Sequence, residues 1–341
     1  MYFCAMISEV LKKKVLITGA SGFIGGALTE EALRRGYEVW AGVRSSSSLA
    51  HLTGKKIRRI DLKYHDPKAL SEQIAEHAQQ HGAWDYVIHN AGLTKTTHPA
   101  DFFLVNAEYT RRLLAAFTQS DCRPQKFLLM SSLSTYSGGN KKTLEPIRLD
   151  DPQNPDTIYG KSKLLAEQYV RGQDMIPYVI LRPTGVYGPG DKDYRMEIES
   201  IRSGFDFAAG MKPQHITFIY IKDLVDVAFQ TLANESIRSC AYFVADGDVY
   251  TDTQFAGLIQ EVLQKKRVFR ARVPLWLVYV VCLCSEYIGR LSGKANTLNT
   301  DKYKILKQRN WICDIEPLRK ELGFIPAYNL RRGLEETIQI T

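Results

Sequence analysis

Tyr159 and Lys163 have the types and the spacing to move a proton. They sit in Tyr159-Gly160-Lys161-Ser162-Lys163, which opens a helical pattern, and a separation of four puts them one turn apart on one face. A tyrosine titrates near 10, too high to exchange a proton readily at neutral pH, whereas a neighbouring ammonium favours the phenolate and lowers that value. Tyr159 is then a candidate general acid toward a carbonyl, or a general base toward an alcohol. Taken alone, the spacing fits a solvated surface pair better. Upstream, Phe127-Leu128-Leu129-Met130-Ser131-Ser132-Leu133-Ser134-Thr135-Tyr136 is an apolar strand that breaks into hydroxyls. A serine at such a strand end can donate to a substrate oxygen and steady the charge that builds there. The plain alternative is a serine that caps a turn.

These side chains need a partner that accepts or gives electrons, and the first strand supplies a place for one. Lys14-Val15-Leu16-Ile17-Thr18-Gly19-Ala20-Ser21-Gly22-Phe23-Ile24-Gly25 reads as a strand, a glycine turn and a helix start. Glycines three apart let the chain turn tightly, approach a pyrophosphate and pack helix against strand, while the first helical N–H groups face the phosphates. The second strand, Tyr37 to Val43, ends in Arg44 followed by Ser45 to Ser48. A basic end beside hydroxyls suits the 2′-phosphate of NADP, where an acidic end would select NAD. Asp61-Leu62, after the third strand, is placed to meet the adenine, and His89-Asn90-Ala91-Gly92 ends the fourth strand beside the cofactor. Lys163 has a second task there, holding the nicotinamide ribose hydroxyls.

Apolar β-branched segments alternate with helical patterns through the first two thirds of the chain, the signature of βαβ units and a parallel sheet. Strands are expected at 14–18, 37–43, 57–61, 85–89, 126–131 and 178–182, with helices at 23–35, 67–80, 100–119 and 157–172. Pro and Gly become dense from Arg182 to Pro213, and the remainder is mixed and more helical, ending in a helix near 330–339. The expected fold is α/β: a doubly wound parallel Rossmann sheet with a smaller mixed α/β C-terminal substrate domain. Its division is 12–182 for the dinucleotide, with a return segment about 215–245, and 183–214 with 246–341 for the substrate.

Of the 341 residues 45% are hydrophobic, enough for a large core. The formal charge of +8 comes from 45 basic and 37 acidic side chains that are interspersed, and no basic run interleaved with aromatics suggests nucleic acid. Six cysteines show neither paired CxxC spacing nor a framework, which favours a reduced, cytoplasmic setting and no metal site. The apolar Met1 to Ile7 stretch precedes its lysines, the reverse of a secretory signal, so none is expected. The apolar run 274–284 is too short to span a bilayer, which takes roughly 20 residues. It reads as a buried helix with Cys282 and Cys284 packing in the core, or as a lip that lines a greasy pocket or dips into a membrane interface.

With these residues in place the chain resembles the extended short-chain dehydrogenase/reductase family, its NAD(P)-dependent epimerase/dehydratase group, over nearly its whole length. Gly19, Gly22 and Gly25 match the family's GxxGxxG, and Tyr159 and Lys163 its YxxxK. Ser132, four residues before Tyr136, matches its active-site Ser or Thr, which selects it over Ser131. Leu181 to Gly190 matches the RP…VYGP segment, and Phe218 to Leu224 a later strand-to-helix signature. The resemblance implies Ser132, Tyr159 and Lys163 as the catalytic set. It implies a cofactor site of Gly19, Ser21, Gly22, Phe23, Ile24, Gly25, Arg44, Asp61, Leu62, Asn90, Ala91, Gly92 and Pro183 together with Tyr159 and Lys163, and gives Asn106 a supporting place nearby. No metal is implied.

Val39 to Arg44 is similar to the VRATVR of dihydroflavonol and cinnamoyl-CoA reductases, which supports NADP(H) over NAD(H) and reduction of a carbonyl. Sugar-nucleotide members commonly carry Asn where this chain has Gly185. Apolar segments like 274–284 accompany lipophilic substrates in the 3β-hydroxysteroid dehydrogenase branch, so a small-molecule ketone such as a 3-keto-sphingoid base or a steroid is expected. Two rivals remain at this level: a sugar-nucleotide epimerase or dehydratase that recycles its cofactor, and a non-catalytic dinucleotide sensor. The family also implies a homodimer through helices near 100–119 and 157–172.

Overall fold

The alternating pattern yields six parallel strands: Lys14–Thr18 (β1), Glu38–Gly42 (β2), Arg58–Ile60 (β3), Tyr86–His89 (β4), Lys126–Met130 (β5) and Tyr178–Pro183 (β6). A seventh, Cys240–Val244, completes the sheet, whose order is Cys240–Val244, β6, β5, β4, β1, β2, β3. Every neighbouring pair is parallel. The direction of winding reverses between β1 and β4, and a crevice at the carboxyl ends of the strands follows from that reversal. The computed structural model describes residues 12–293 and 296–340, so Cys4 and the apolar Met1 to Ile7 stretch lie outside the described residues.

Successive strand residues point to opposite faces, and both faces are covered. Val15, Ile17, Val39 and Ala41 pack with Leu28 and Leu224 from the helices Phe23–Arg34 and Ile221–Ala233. Leu16 and Trp40 pack on the other side with Leu70, Ile74, Leu113 and Phe117. The helix expected at 100–119 is three pieces: Pro99–Phe102, a π-helical stretch Phe103–Glu108 and Tyr109–Gln119. The widened turn buries Asn106, and an inserted turn of this kind often marks a functional site.

After β6 the chain builds a mixed lobe. Its small sheets pair Gly185–Tyr187 with Phe218–Tyr220, and join Tyr250–Thr251, His215–Ile216 and Asn310–Trp311. Phe205–Ala209 pairs in parallel with Phe269–Val273, the strand that leads into the helix Leu275–Ser292. That helix corrects the expectation of a buried segment at 274–284. Its mean hydropathy is 1.3, yet only 17% of it is buried. Being apolar on all sides, the run gives no stripe to say which face meets the core, and only Cys282 and Gly289 reach the interior. The pair expected in the core therefore splits, with Cys282 buried and Cys284 exposed.

One buried charge ties the sheet to the helix Ile158–Arg171. The fully buried Glu167 carboxylate accepts from Arg182 Nε at 3.0 Å and Nη2 at 2.8 Å, and from Ser131 Oγ at 2.5 Å. Burial alone would raise this carboxyl, but the Arg182 guanidinium and the Ser131 hydroxyl hold it below its ordinary range. Its stabilising effect is thus complete above the ordinary carboxylate value and is lost as pH falls through the lower folded one. Removing one partner of such a pair leaves an uncompensated charge. Glu167→Gln should cost about 3 kcal/mol or more of unfolding free energy at neutral pH, measured by urea denaturation.

Candidate active site

Three strand ends meet at the glycine turn. Gly19 follows β1 at a φ of +67°, and its N–H donates to the Gly42 carbonyl of β2 at 3.1 Å. A Cβ on Gly19 would lie 2.8 Å from Ala91 Cα beyond β4, and one on Gly25 would lie 2.0 Å from the Gly19 carbonyl oxygen. Gly22 differs: it is exposed, and its Cβ would meet only that same oxygen, at 3.4 Å. Gly22 precedes the helix Phe23–Arg34, whose start no side chain caps, so the N–H groups of Phe23, Ile24 and Gly25 have no acceptor within the helix. Ser21 is half-buried beside them. Open space next to free helical donors is a cradle that fits a dinucleotide pyrophosphate.

The remaining residues expected around the cofactor are distributed along the same edge. Arg44 is exposed two residues beyond β2, with its N–H donating to Ser47 Oγ at 3.2 Å. Asp61 accepts from Ser45 N–H at 2.9 Å and so ties the serine loop to the end of β3. The Leu62 side chain is buried with Trp40 and Leu70. Pro183 is buried opposite Val244 at the end of β6. Past β4, Asn90 and Ala91 are half-buried, and Ala91 N–H donates to Thr18 Oγ1 at 3.0 Å. A Cβ on Gly92 would come within 3.1 Å of Lys163 Nζ.

Ser132 and Tyr159 are brought together, and the local sequence explains how. Ser131 and Ser132 leave β5 in different directions: Ser131 turns inward to Glu167, while the Ser132 hydroxyl lies near the Tyr159 phenol and accepts from Ser134 N–H at 3.1 Å. Thr157 caps the helix Ile158–Arg171 by accepting from Gly160 N–H at 2.9 Å. A Cβ on Gly160 would sit 2.0 Å from the Ser134 carbonyl oxygen, so only glycine lets the serine turn lie against this helix end. Asp301, from the second lobe, accepts from Ile158 N–H at 2.7 Å and Tyr159 N–H at 3.3 Å. Asn106 links three parts: it accepts from Leu93 N–H at 2.7 Å and donates to Ser162 Oγ at 2.9 Å, and Ser162 donates to the Tyr159 carbonyl at 2.7 Å. Gly160, Glu167 and Asp301 were not singled out in the sequence. Gly160 lies inside the Tyr-to-Lys motif and could have been noticed there; Asp301 is more than a hundred residues distant and could not.

Burial pushes the Tyr159 phenol up to about 12, opposed by the nearby Ser132 hydroxyl. Lys163 Nζ donates to the Met130 carbonyl at the end of β5, at 2.8 Å. Burial pushes its ammonium down to about 8, with Glu167 acting in the opposite direction. His89 is a core residue, bridging Thr18 Oγ1 at 2.9 Å and Thr110 Oγ1 at 3.0 Å, and burial holds it neutral with a value of about 3.

A cavity of about 220 Å³ opens against Tyr159. Phe102, Thr94 to Thr97, Ser134 and Thr157 form one wall; Asp193, Glu286, Arg290, Thr297, Thr300 and Lys302 of the second lobe form the other. Most of the lining residues are polar or charged, but the surface they expose to the cavity is mainly apolar.

Comparison with known proteins agrees with this geometry. The model of the NAD dependent epimerase/dehydratase family matches residues 15–244. The chain is 24% identical to a 3-beta-hydroxysteroid dehydrogenase of Mycolicibacterium neoaurum, over 95% of this chain and 90% of that protein. It is 26% identical to a 2-alkyl-3-oxoalkanoate reductase of Stenotrophomonas maltophilia, over 94% and 97%. The crystal structure of a UDP-glucose 4-epimerase from Thermotoga maritima superposes with a TM-score of 0.75 at 20% identity, covering 96% of this chain and 98% of that one. A pyrophosphate cradle at the winding reversal, a serine against a tyrosine at the next strand end and a family match across the whole sheet lead to one assignment: the chain belongs to the NAD dependent epimerase/dehydratase family, as an NAD(P)-dependent enzyme of the short-chain dehydrogenase/reductase type.

Proposed function

We propose that this enzyme uses NADPH to reduce a ketone carried by an amphipathic lipid, such as a 3-keto-sphingoid base or a steroid, or catalyses the reverse oxidation. The observation that carries this reading is the helix Leu275–Ser292. Its Glu286, Gly289 and Arg290 line the cavity at Tyr159, while Trp276, Tyr287, Ile288 and Leu291 are exposed on its other sides. A polar keto head group suits the charged cavity, and an aliphatic body suits the apolar face beyond it. The reductase among the relatives, whose name specifies a 2-alkyl-3-oxoalkanoate, and the hydroxysteroid dehydrogenase fit the same substrate class. The exposed Arg44 with its serine loop favours a 2′-phosphate. The reading includes a reduced, cytoplasmic setting, peripheral membrane contact through 274–284, a substrate lobe built from 183–214 and 246–341, and a homodimer through the helices around 100–119 and 157–172, where Phe103 and Leu104 are exposed.

When bound, the dinucleotide supplies or takes up the hydride. Tyr159 gives its phenolic proton to the oxygen of the reduced carbonyl, and Ser132 donates a hydrogen bond to that oxygen and holds it in line. Lys163, held at the Met130 carbonyl beside Gly92, brings a positive charge to the nicotinamide end of the crevice and balances the phenolate left on Tyr159. The many polar and charged residues around the cavity favour a second reading, a sugar-nucleotide epimerase. It differs in outcome, since such an enzyme consumes no NADPH.

NADPH oxidation against keto-lipids, steroids, aldehydes and nucleotide sugars tests the assignment. Net oxidation with a keto-lipid, faster than with NADH, is the expected result, and Tyr159→Phe should lower kcat about 10²- to 10⁴-fold with cofactor affinity kept. Epimerisation without net oxidation would replace the reading. The glycines separate folding from binding. Gly25→Ala should lower the melting temperature, since its methyl has no room, whereas Gly22→Ala should leave it unchanged and weaken NADPH binding measured by calorimetry. Because Lys163 sits at about 8, reductive kcat should decline as pH rises through that value and the ammonium is lost. A pH profile of Lys163→Arg should lack that limb.

A further inference from the structure

The two-stranded sheet of Phe205–Ala209 and Phe269–Val273 has two unlike faces. Asp206 and Arg272 lie on the inner face, where the exposed Arg270 reaches Asp206 through Nε at 3.2 Å and Arg272 Nη2 pairs with Asp252 at 3.0 Å. The alternate residues Phe205, Phe207 and Phe269 face outward, 48%, 55% and 61% exposed, with ring centroids 6.1 to 6.5 Å apart. The strip continues into the helix Leu275–Ser292: Leu275 lies against Gly210, and Trp276 and Met211 beside this junction are exposed. Cations flank the strip at both ends. Lys266 and Arg267 precede Phe269, Lys212 follows Met211, all three are exposed, and among the described residues none of the three has an ion-pair partner.

We propose that this surface, the Phe205/Phe207/Phe269 face together with the outer side of Leu275–Ser292, lies in the interface of an anionic lipid bilayer and admits the substrate from it. Aromatic and apolar side chains enter the region between head groups and acyl chains, and unpaired Lys and Arg meet the anionic head groups. The helix lies along the surface and does not cross it. Glu286 within it accepts from Thr300 N–H at 3.0 Å, Ser285 accepts from Asn296 Nδ2 at 2.7 Å, and Cys282 and Gly289 face the protein. One side of the helix thus borders the Tyr159 cavity while the others meet lipid, so a lipid can slide past Gly289 and Arg290 with its head group leading. The proposal rests on the lipid-ketone reading above, but its test does not depend on turnover.

The full chain is floated with phosphatidylcholine vesicles that contain or lack phosphatidylglycerol. Binding to the anionic vesicles, weakened by salt, is expected. Phe207→Ser/Phe269→Ser and Lys266→Glu/Arg267→Glu should each weaken binding about tenfold or more, with unchanged melting temperature and unchanged turnover of a short-chain, water-soluble ketone. Vesicle binding indifferent to both double variants would overturn the proposal. So would absent binding together with a dimer, seen by light scattering, that the phenylalanine variant dissolves; the face would then be a contact between two copies. If vesicles bind as expected but no ketone is reduced, the surface stands and the substrate assignment falls.

Discussion

The placement of Tyr159 depends on a carboxylate that does no chemistry. Glu167 sits two turns along the same helix and holds Ser131 at the end of β5 and Arg182 in β6 at once. Because Ser131 is drawn inward, the next residue turns outward, and Ser132 arrives at the phenol. The distance between an apolar strand end and a helix is thereby fixed by two charges in a medium where an unmatched charge is prohibitively costly. Gly160 completes the constraint from the other side, since its missing side chain is the space that the Ser134 carbonyl occupies. Pull from Glu167 and clearance at Gly160 define the same contact.

This compactness has an electrostatic consequence. Burial disfavours the charged form of both partners, raising Tyr159 and lowering Lys163 until they stand at about 12 and about 8. A protonated phenol with a lysine only just able to keep its charge is a resting state suited to giving a proton to a carbonyl oxygen. On the proposed mechanism the phenolate formed in that step needs a positive charge, and Lys163, one turn along the same helix and held at the Met130 carbonyl, is a buried cation available for it.

The sheet was legible in the sequence because each βαβ unit is local: six strands lie within a residue or so of where period and turn residues put them. Legibility ended where information became non-local. The strand Cys240–Val244 is a short apolar run whose only distinction is pairing with β6, sixty residues earlier. The π-helical stretch at Phe103–Glu108 carries no composition signal, since what buries Asn106 is its bonds to Leu93 and Ser162. The capping of Tyr159 by Asp301 joins two lobes and has no local trace at all.

The helix Leu275–Ser292 misled for a different reason. An apolar segment is ordinarily explained by a core, yet here the core is complete without it, and the exposed aromatic face of Phe205, Phe207 and Phe269 adjoins it. Large contiguous apolar exposure is costly in water, and a fold keeps it where something other than water lies against it. The same helix contributes Glu286 and Arg290 to the cavity of Tyr159, so that cavity and the exposed apolar surface are one helix apart. On the lipid-ketone proposal, that placement is what calls for a substrate polar at the reacting end and apolar elsewhere.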